Sequence, residues 1–137
     1  MRIYLDSSAL TKLHIEEPGS AETARVIFRA TEIGVSVLGL PEVISALRRR
    51  RRENKLTDDE YRGAKEKFLD DVEETQVLAL TPSIIDQSIL LLEHNTLRAS
   101  DAIHVASALI WRSALFVSGD VRQIDAAKKA GLKTHKV

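Results

Sequence analysis

The chain has 137 residues, 44% of them hydrophobic, and its 20 lysines and arginines balance 20 aspartates and glutamates to a net charge of zero. A single domain of this length removes roughly two-thirds of its unfolded surface from water, so its core needs no covalent staples. The absence of cysteine excludes disulfides, thiolate metal sites and a cysteine nucleophile, and neutrality argues against a domain that coats nucleic acid by bulk charge.

The longest apolar stretches, 35–47 and 102–117, are interrupted by Glu42 and by His104 and Arg112. They fall short of the about 18 uninterrupted apolar residues of a membrane span. The first six residues run directly into a strand-like segment without the zones of a signal peptide. The expectation is a soluble cytoplasmic protein with no membrane contact.

In chain order, residues 3–5 read as a strand closed by Asp6-Ser7-Ser8, a polar turn able to cap a helix. Pro18-Gly19 breaks the chain, and Ser20 is placed to cap a helix reaching about Thr31 with Ala24, Ile27 and Phe28 on its apolar face. Residues 35–38 follow Gly34 as a second strand. Pro41 starts a third helix with Leu40, Val43, Ile44 and Leu47 at helical spacing, which dissolves into five consecutive arginines at 48–52. Thr57 and Glu60 form a capping box opening a helix with Tyr61, Ala64, Phe68 and Val72 inward, so two successive helices make a hairpin.

Residues 76–80 form a third strand, and Thr81-Pro82 begins a helix with Ile85, Ser88, Ile89 and Leu92 inward that stops at Asn95. Ser100 opens a helix over 101–112. Residues 114–117 are a fourth strand, 121–130 a helix ended by Gly131, and 132–135 a last strand. Strands alternating with helices specify an α/β fold, one domain over 1–137, with a mostly parallel sheet of about five strands flanked by helices.

Ligands bind such sheets beyond the carboxyl ends of the strands. Asp6 follows the first strand, Glu42 the second and Asp120 the fourth, while Asp101 lies in the first turn of its helix. Any one of these acids is explained as a helix starter. Four together repel unless a cation neutralises them, and oxygen-only ligands suit Mg²⁺ or Mn²⁺, as one or two ions. Ser8 and Ser118 stand beside Asp6 and Asp120, where each hydroxyl is either a cap or a support for carboxylate, water or phosphate. No Walker loop, GxGxxG or GxSxG is present, so metal-assisted phosphodiester hydrolysis is the economical reading.

Tyr4-Leu5-Asp6-Ser7-Ser8-Ala9-Leu10, Pro41-Glu42-Val43, the segment Ala99-Ser100-Asp101-Ala102-Ile103-His104-Val105-Ala106-Ser107-Ala108 and Val117-Ser118-Gly119-Asp120 together resemble a PIN domain. More narrowly they resemble the VapC toxins of toxin-antitoxin pairs. The resemblance implies a single-stranded RNA endonuclease dependent on Mg²⁺ or Mn²⁺ that leaves 5′-phosphate and 3′-hydroxyl ends. It implies an acidic quartet of Asp6, Glu42, Asp101 and Asp120, with Asp6 and Asp101 on the metal most directly. It also implies a homodimer and a VapB-like antitoxin whose tail enters the acidic groove; the apolar helix surface of the hairpin around residues 48–72 is the candidate dimer contact. Ser-Gly-Asp stands at 118–120 where Thr-x-Asp is commoner.

Arg48, within the arginine run, is a candidate for RNA phosphates, although five consecutive positions wrap a whole helix and suit a solvated end. Lys12, Arg98 and Arg122 lie nearer the acids and could form a phosphate rim. His104, three residues after Asp101, is placed to be a ligand or base, but carboxylates already suffice for a hard metal and it reads as a satisfied core histidine; Trp111, Phe68 and Phe28 read as core aromatics. The alternative function is a non-catalytic PIN-like module whose acidic groove receives a basic peptide. A phosphotransfer domain is disfavoured because position 8 is serine, so the second acid of an Asp-x-Asp signature is missing.

Overall fold

The computed structural model describes residues 1–137 as β1 (Arg2–Leu5), α1 (Ser7–Lys12), α2 (Ser20–Ile27), β2 (Glu32–Ser36), α3 (Gly39–Arg52), α4 (Asp58–Glu73), β3 (Gln76–Leu78), α5 (Pro82–His94), α6 (Ala99–Ile110), β4 (Leu115–Ser118), α7 (Val121–Lys129) and β5 (Thr134–Lys136). The strands form one sheet in the order β3-β2-β1-β4-β5, and every neighbouring pair is parallel. The chain builds outward from β1 to β3 and then returns to β4. The loops leaving β1 and β4 therefore diverge to opposite faces of the sheet, and the carboxyl edge between them is where parallel sheets bind ligands.

Strand alternation divides the core between the two faces of the sheet. Ile3, Leu5, Val35 and Val117 meet Leu10, Val26, Val43, Leu47 and Phe68 from α1 to α4. Tyr4 and Phe116 face the other way, against Ile84, Leu91, Val105 and Ile124 from α5 to α7. Gly34 lies within β2, where a Cβ would come 2.7 Å from the Trp111 ring, so only glycine admits that ring.

Several sequence expectations shift. β2 starts at Glu32, earlier than expected, because Arg2 of β1 pairs with Glu32, and residues 37–38 turn into α3. Pro41 consequently occupies the third position of α3. The arginine run stays helical to Arg52, as the good helix propensity of arginine favours. Gly19 with positive φ, rather than Ser20, caps α2, while the Ser20 hydroxyl donates to the Ile15 carbonyl.

On α2 the buried residues are Ser20, Thr23 and Val26, and Phe28 beyond its end is 94% exposed. On α5 the inward residues are Ile84, Ser88 and Leu91, leaving Ile85, Ile89 and Leu92 outside. Arg98 rather than Ser100 precedes α6 as its cap. β3 stops at Leu78, α7 at Lys129, and β4 and β5 lie one to two residues later than expected. No helix is long and apolar enough to cross a membrane.

Candidate active site

Asp6 ends β1 and caps α1, with its Oδ1 accepting the Ala9 N–H at 2.9 Å. Its Oδ2 accepts the Ser118 hydroxyl at 2.7 Å, and the Ser8 hydroxyl lies 2.7 and 2.9 Å from the two oxygens. The carboxylate is only 1% exposed. Burial pushes its proton affinity up, against the opposing field of His104 and the bonds from Ala9, Ser118 and Ser8. An ionised Asp6 at neutral pH thus calls for positive charge beside it.

The neighbouring elements close around it. The Ser118 hydroxyl accepts the Asp120 N–H at 2.9 Å, and Ser8 Oγ accepts the Gly119 N–H at 2.8 Å. Asp120 caps α7 through the Arg122 N–H at 2.8 Å. Asp101, in the first turn of α6, accepts the Arg98 N–H and Nε on Oδ2 at 3.3 and 3.2 Å, and Gln123 Nε2 of α7 on Oδ1 at 3.0 Å.

Glu42, half-buried in the first turn of α3, accepts the Ser7 hydroxyl and His104 Nε2 on Oε1, both at 2.7 Å. Burial pulls its proton affinity up, but the bond and charge of His104, the Ser7 bond and the Arg98 field outweigh it and hold the carboxyl below its usual range. The four acids are therefore linked in one circuit made partly of hydrogen bonds and partly of neighbouring positions in the chain. It runs from Asp6 through Ser7 to Glu42, through His104 along α6 to Asp101, through Gln123 along α7 to Asp120, and through Ser118 back to Asp6.

No three His, Asp or Glu side chains converge into a ready-made ion cage. The donor set still fits a hard cation, because Mg²⁺ takes one or two carboxylates and completes its shell with water. Asp6 and Asp101, the buried pair, would hold it, with Glu42 and Asp120 flanking.

Of the basic candidates, Arg98 and Arg122 stand at this edge, the latter with Nε 3.8 Å from Asp120. Lys12 lays its stem against Gly119, but its ammonium bonds Glu17 at 3.2 Å and the Pro18 carbonyl at 2.8 Å. Arg48 sits over the Tyr61 ring, 4.8 Å from its centroid, on the far turns of α3 and away from the acids. A groove of about 690 Å³ between the end of α5 and α7 touches this edge only through Arg122. Chemistry rather than volume locates the site.

Sequence reasoning missed Ser7, Tyr4 and Gln123, and it gave His104 no role beyond the core. His104 is a fully bonded buried histidine, as expected, yet one of its partners is Glu42. The only sequence signal was the spacing of three between Asp101 and His104, which places both on one side of α6.

The sequence profile of the PIN domain family matches residues 3–129. Ribonuclease VapC45 of Mycobacterium tuberculosis (strain CDC 1551 / Oshkosh) is 33% identical over 108 residues, spanning 78% of this chain and 74% of the relative. The fold is similar to that of M. tuberculosis VapC20, described as a sarcin-ricin loop cleaving toxin, at TM-score 0.73 and 16% identity over 98% of this chain and 99% of that one. It is also similar to a chain of a toxin-antitoxin complex from Klebsiella pneumoniae, at TM-score 0.72 and 14% identity over 98% and 99% of the two chains.

Proposed function

This chain belongs to the PIN domain family and, through its ribonuclease relatives, to the VapC group within it, and from that premise we propose a Mg²⁺- or Mn²⁺-dependent endoribonuclease that cuts single-stranded RNA as the toxin of a toxin-antitoxin pair. The observation that carries this reading is the buried Asp6, bonded by two serine hydroxyls on the same edge as three further carboxylates.

A bound divalent ion supplies Lewis-acid stabilisation of the phosphate and a more acidic water. The chain supplies the rest. Asp6 and Asp101 hold the cation, and Ser8 and Ser118 keep Asp6 from rotating. Glu42 keeps one oxygen free to accept from the attacking water, while Arg98 and Arg122 steady the RNA phosphate. Water oxygen joins phosphorus, the P–O3′ bond breaks, and a proton ends on the 3′-oxygen, which leaves 5′-phosphate and 3′-hydroxyl ends.

An antitoxin that places a basic tail among these acids would silence the site by occupying the cation's position. We also place a homodimer contact on α5 and the β3 edge, where Val77, Leu80, Ile85, Ile89 and Leu92 are exposed. The hairpin at 48–72 offers only Leu69 as a large exposed apolar side chain. The site of action is the cytoplasm. Induced expression in a bacterial host tests the toxin reading: the wild type should arrest growth with RNA breakdown, and Asp101→Asn at equal abundance should be harmless. An equally toxic Asp101→Asn would sink it.

A further inference from the structure

The buried face of α6 is apolar except at a few positions, with Ala102, Val105, Ala106 and Ala108 packed against the sheet. His104 lies among them at 1% exposure. An imidazole there costs desolvation that only hydrogen bonds offset, and an apolar side chain would fill the volume without that cost. Both nitrogens are in fact used. Nδ1 lies 2.9 Å from the Tyr4 hydroxyl, and Nε2 lies 2.7 Å from Glu42 Oε1 and 3.0 Å from Ser7 Oγ.

A carboxylate oxygen only accepts, so Nε2 carries a proton and donates to Glu42 in either charge state of the ring. Tyr4 is itself packed on all sides: it is fully buried, stacked on Phe116 with centroids 5.7 Å apart, and meets the imidazole edge at 6.1 Å. The result is a rigid rail of Phe116, Tyr4 and His104 running from the sheet to Glu42. Ser7 does not form a nucleophilic triad with this pair, because it and Glu42 share the same ring nitrogen and its hydroxyl donates to Glu42.

The rail ends on a partly exposed glutamate of a different helix, which the fold does not need to bury. Both bonds to Glu42 fall on Oε1, and Oε2 takes none from the chain. We infer that His104, backed by Tyr4 and assisted by Ser7, is a positioning residue that anchors Glu42 by one oxygen so that Oε2 faces the cation or the attacking water. The inference rests on the metal-dependent nuclease reading above for its purpose, and on this hydrogen-bond geometry for its content.

The test compares His104→Phe, which keeps a flat ring but cannot donate, with His104→Gln, which restores an amide donor, and with Tyr4→Phe, which removes only the backing hydroxyl. Partners that orient a ligating carboxylate typically cost roughly 10- to 100-fold in affinity or activity when lost. For His104→Phe, calorimetric Mn²⁺ affinity of the metal-free protein and kcat on RNA should each fall within that range, with KM for RNA unchanged. His104→Gln should recover most of both, and Tyr4→Phe should fall between.

Wild-type Mn²⁺ affinity and kcat in His104→Phe, or equal losses in His104→Gln and His104→Phe at equal thermal stability, would overturn the inference, since ring packing alone would then explain the residue. Nitrogen-15 NMR of the His104 ring without metal separates this failure from that of the nuclease itself. A protonated Nε2 that shifts on Glu42→Gln supports the anchor even in a protein that neither binds Mn²⁺ nor cuts RNA. An unprotonated or unmoved Nε2 refutes it.

Discussion

At the level of single side chains, Asp6 sets stability against the role proposed for it. Its carboxyl is raised by burial, so the folded state holds a proton more tightly than the unfolded state does. Its ionised form therefore opposes folding at neutral pH, and that burden lifts as pH falls through the folded value. Asp6→Asn should raise the Tm of the metal-free protein at pH 7, with the gain over wild type shrinking towards pH 4. A lower Tm in Asp6→Asn across that range would contradict the argument.

Glu42 and Asp71 have the opposite sign. Asp71, burial notwithstanding, is held low by Lys67 and by His14, whose Nε2 lies 2.9 Å away and ties the turn after α1 to α4. The stability from these two groups is present above the ordinary carboxylate range and is lost as pH falls through their lowered folded values. A divalent cation bound beside Asp6, as proposed, would reverse the burden of that carboxylate. At 100 times its dissociation constant a ligand specific to the folded state adds about 2.7 kcal/mol, so saturating Mg²⁺ should lift wild-type Tm and leave Asp6→Asn unmoved. At this scale the four acids and the hydroxyls of Ser8 and Ser118 were legible because each sits next to a strand end or helix start. The partners Ser7, His104 and Gln123 were not, because their contacts to Glu42 and Asp101 span 35, 62 and 22 residues.

Elements were legible where a local signal sufficed. Thr57 and Glu60 form the expected capping box, with bonds of 2.9 and 3.1 Å, and Thr81 with Pro82 starts α5 as its chemistry requires. Thr57→Ala should cost about 1 kcal/mol in urea unfolding. Phe68, fully buried at the junction of α4 with the sheet, should cost about 3–5 kcal/mol when cut to alanine. The inward face of α5 was not legible. Ile84, Ile85, Ile89, Leu90, Leu91 and Leu92 make it apolar nearly all round, so helical spacing alone offers two stripes. Tertiary packing selects Ile84 and Leu91 and leaves the other stripe in solvent. On α2 helical spacing points to Phe28, but the helix ends at Ile27 and Phe28 lies past the last turn, 94% exposed.

For the whole molecule, the reversal of strand order at β1 is what makes a site. It brings the ends of β1 and β4 side by side, and with them Asp6, Ser118 and Asp120, while α3 and α6 deliver Glu42 and Asp101 to the same edge. The alternation of strands and helices in the sequence is enough to specify the parallel α/β class. The order β3-β2-β1-β4-β5 came only from the structure, since pairing partners are set by long-range packing. The exposed stripe of α5 belongs to this scale as well. Light scattering should find a dimer that Ile85→Glu with Ile89→Glu turns into a folded monomer, and a wild-type monomer at high concentration would place the contact elsewhere. The most direct measurement is cleavage of labelled single-stranded RNA by antitoxin-free protein with Mg²⁺, with Mn²⁺ and with EDTA, beside Asp6→Asn. Metal-dependent cutting to 5′-phosphate ends, abolished by EDTA and by Asp6→Asn, is the expected result, and cutting that persists in folded Asp6→Asn or in EDTA would contradict the account.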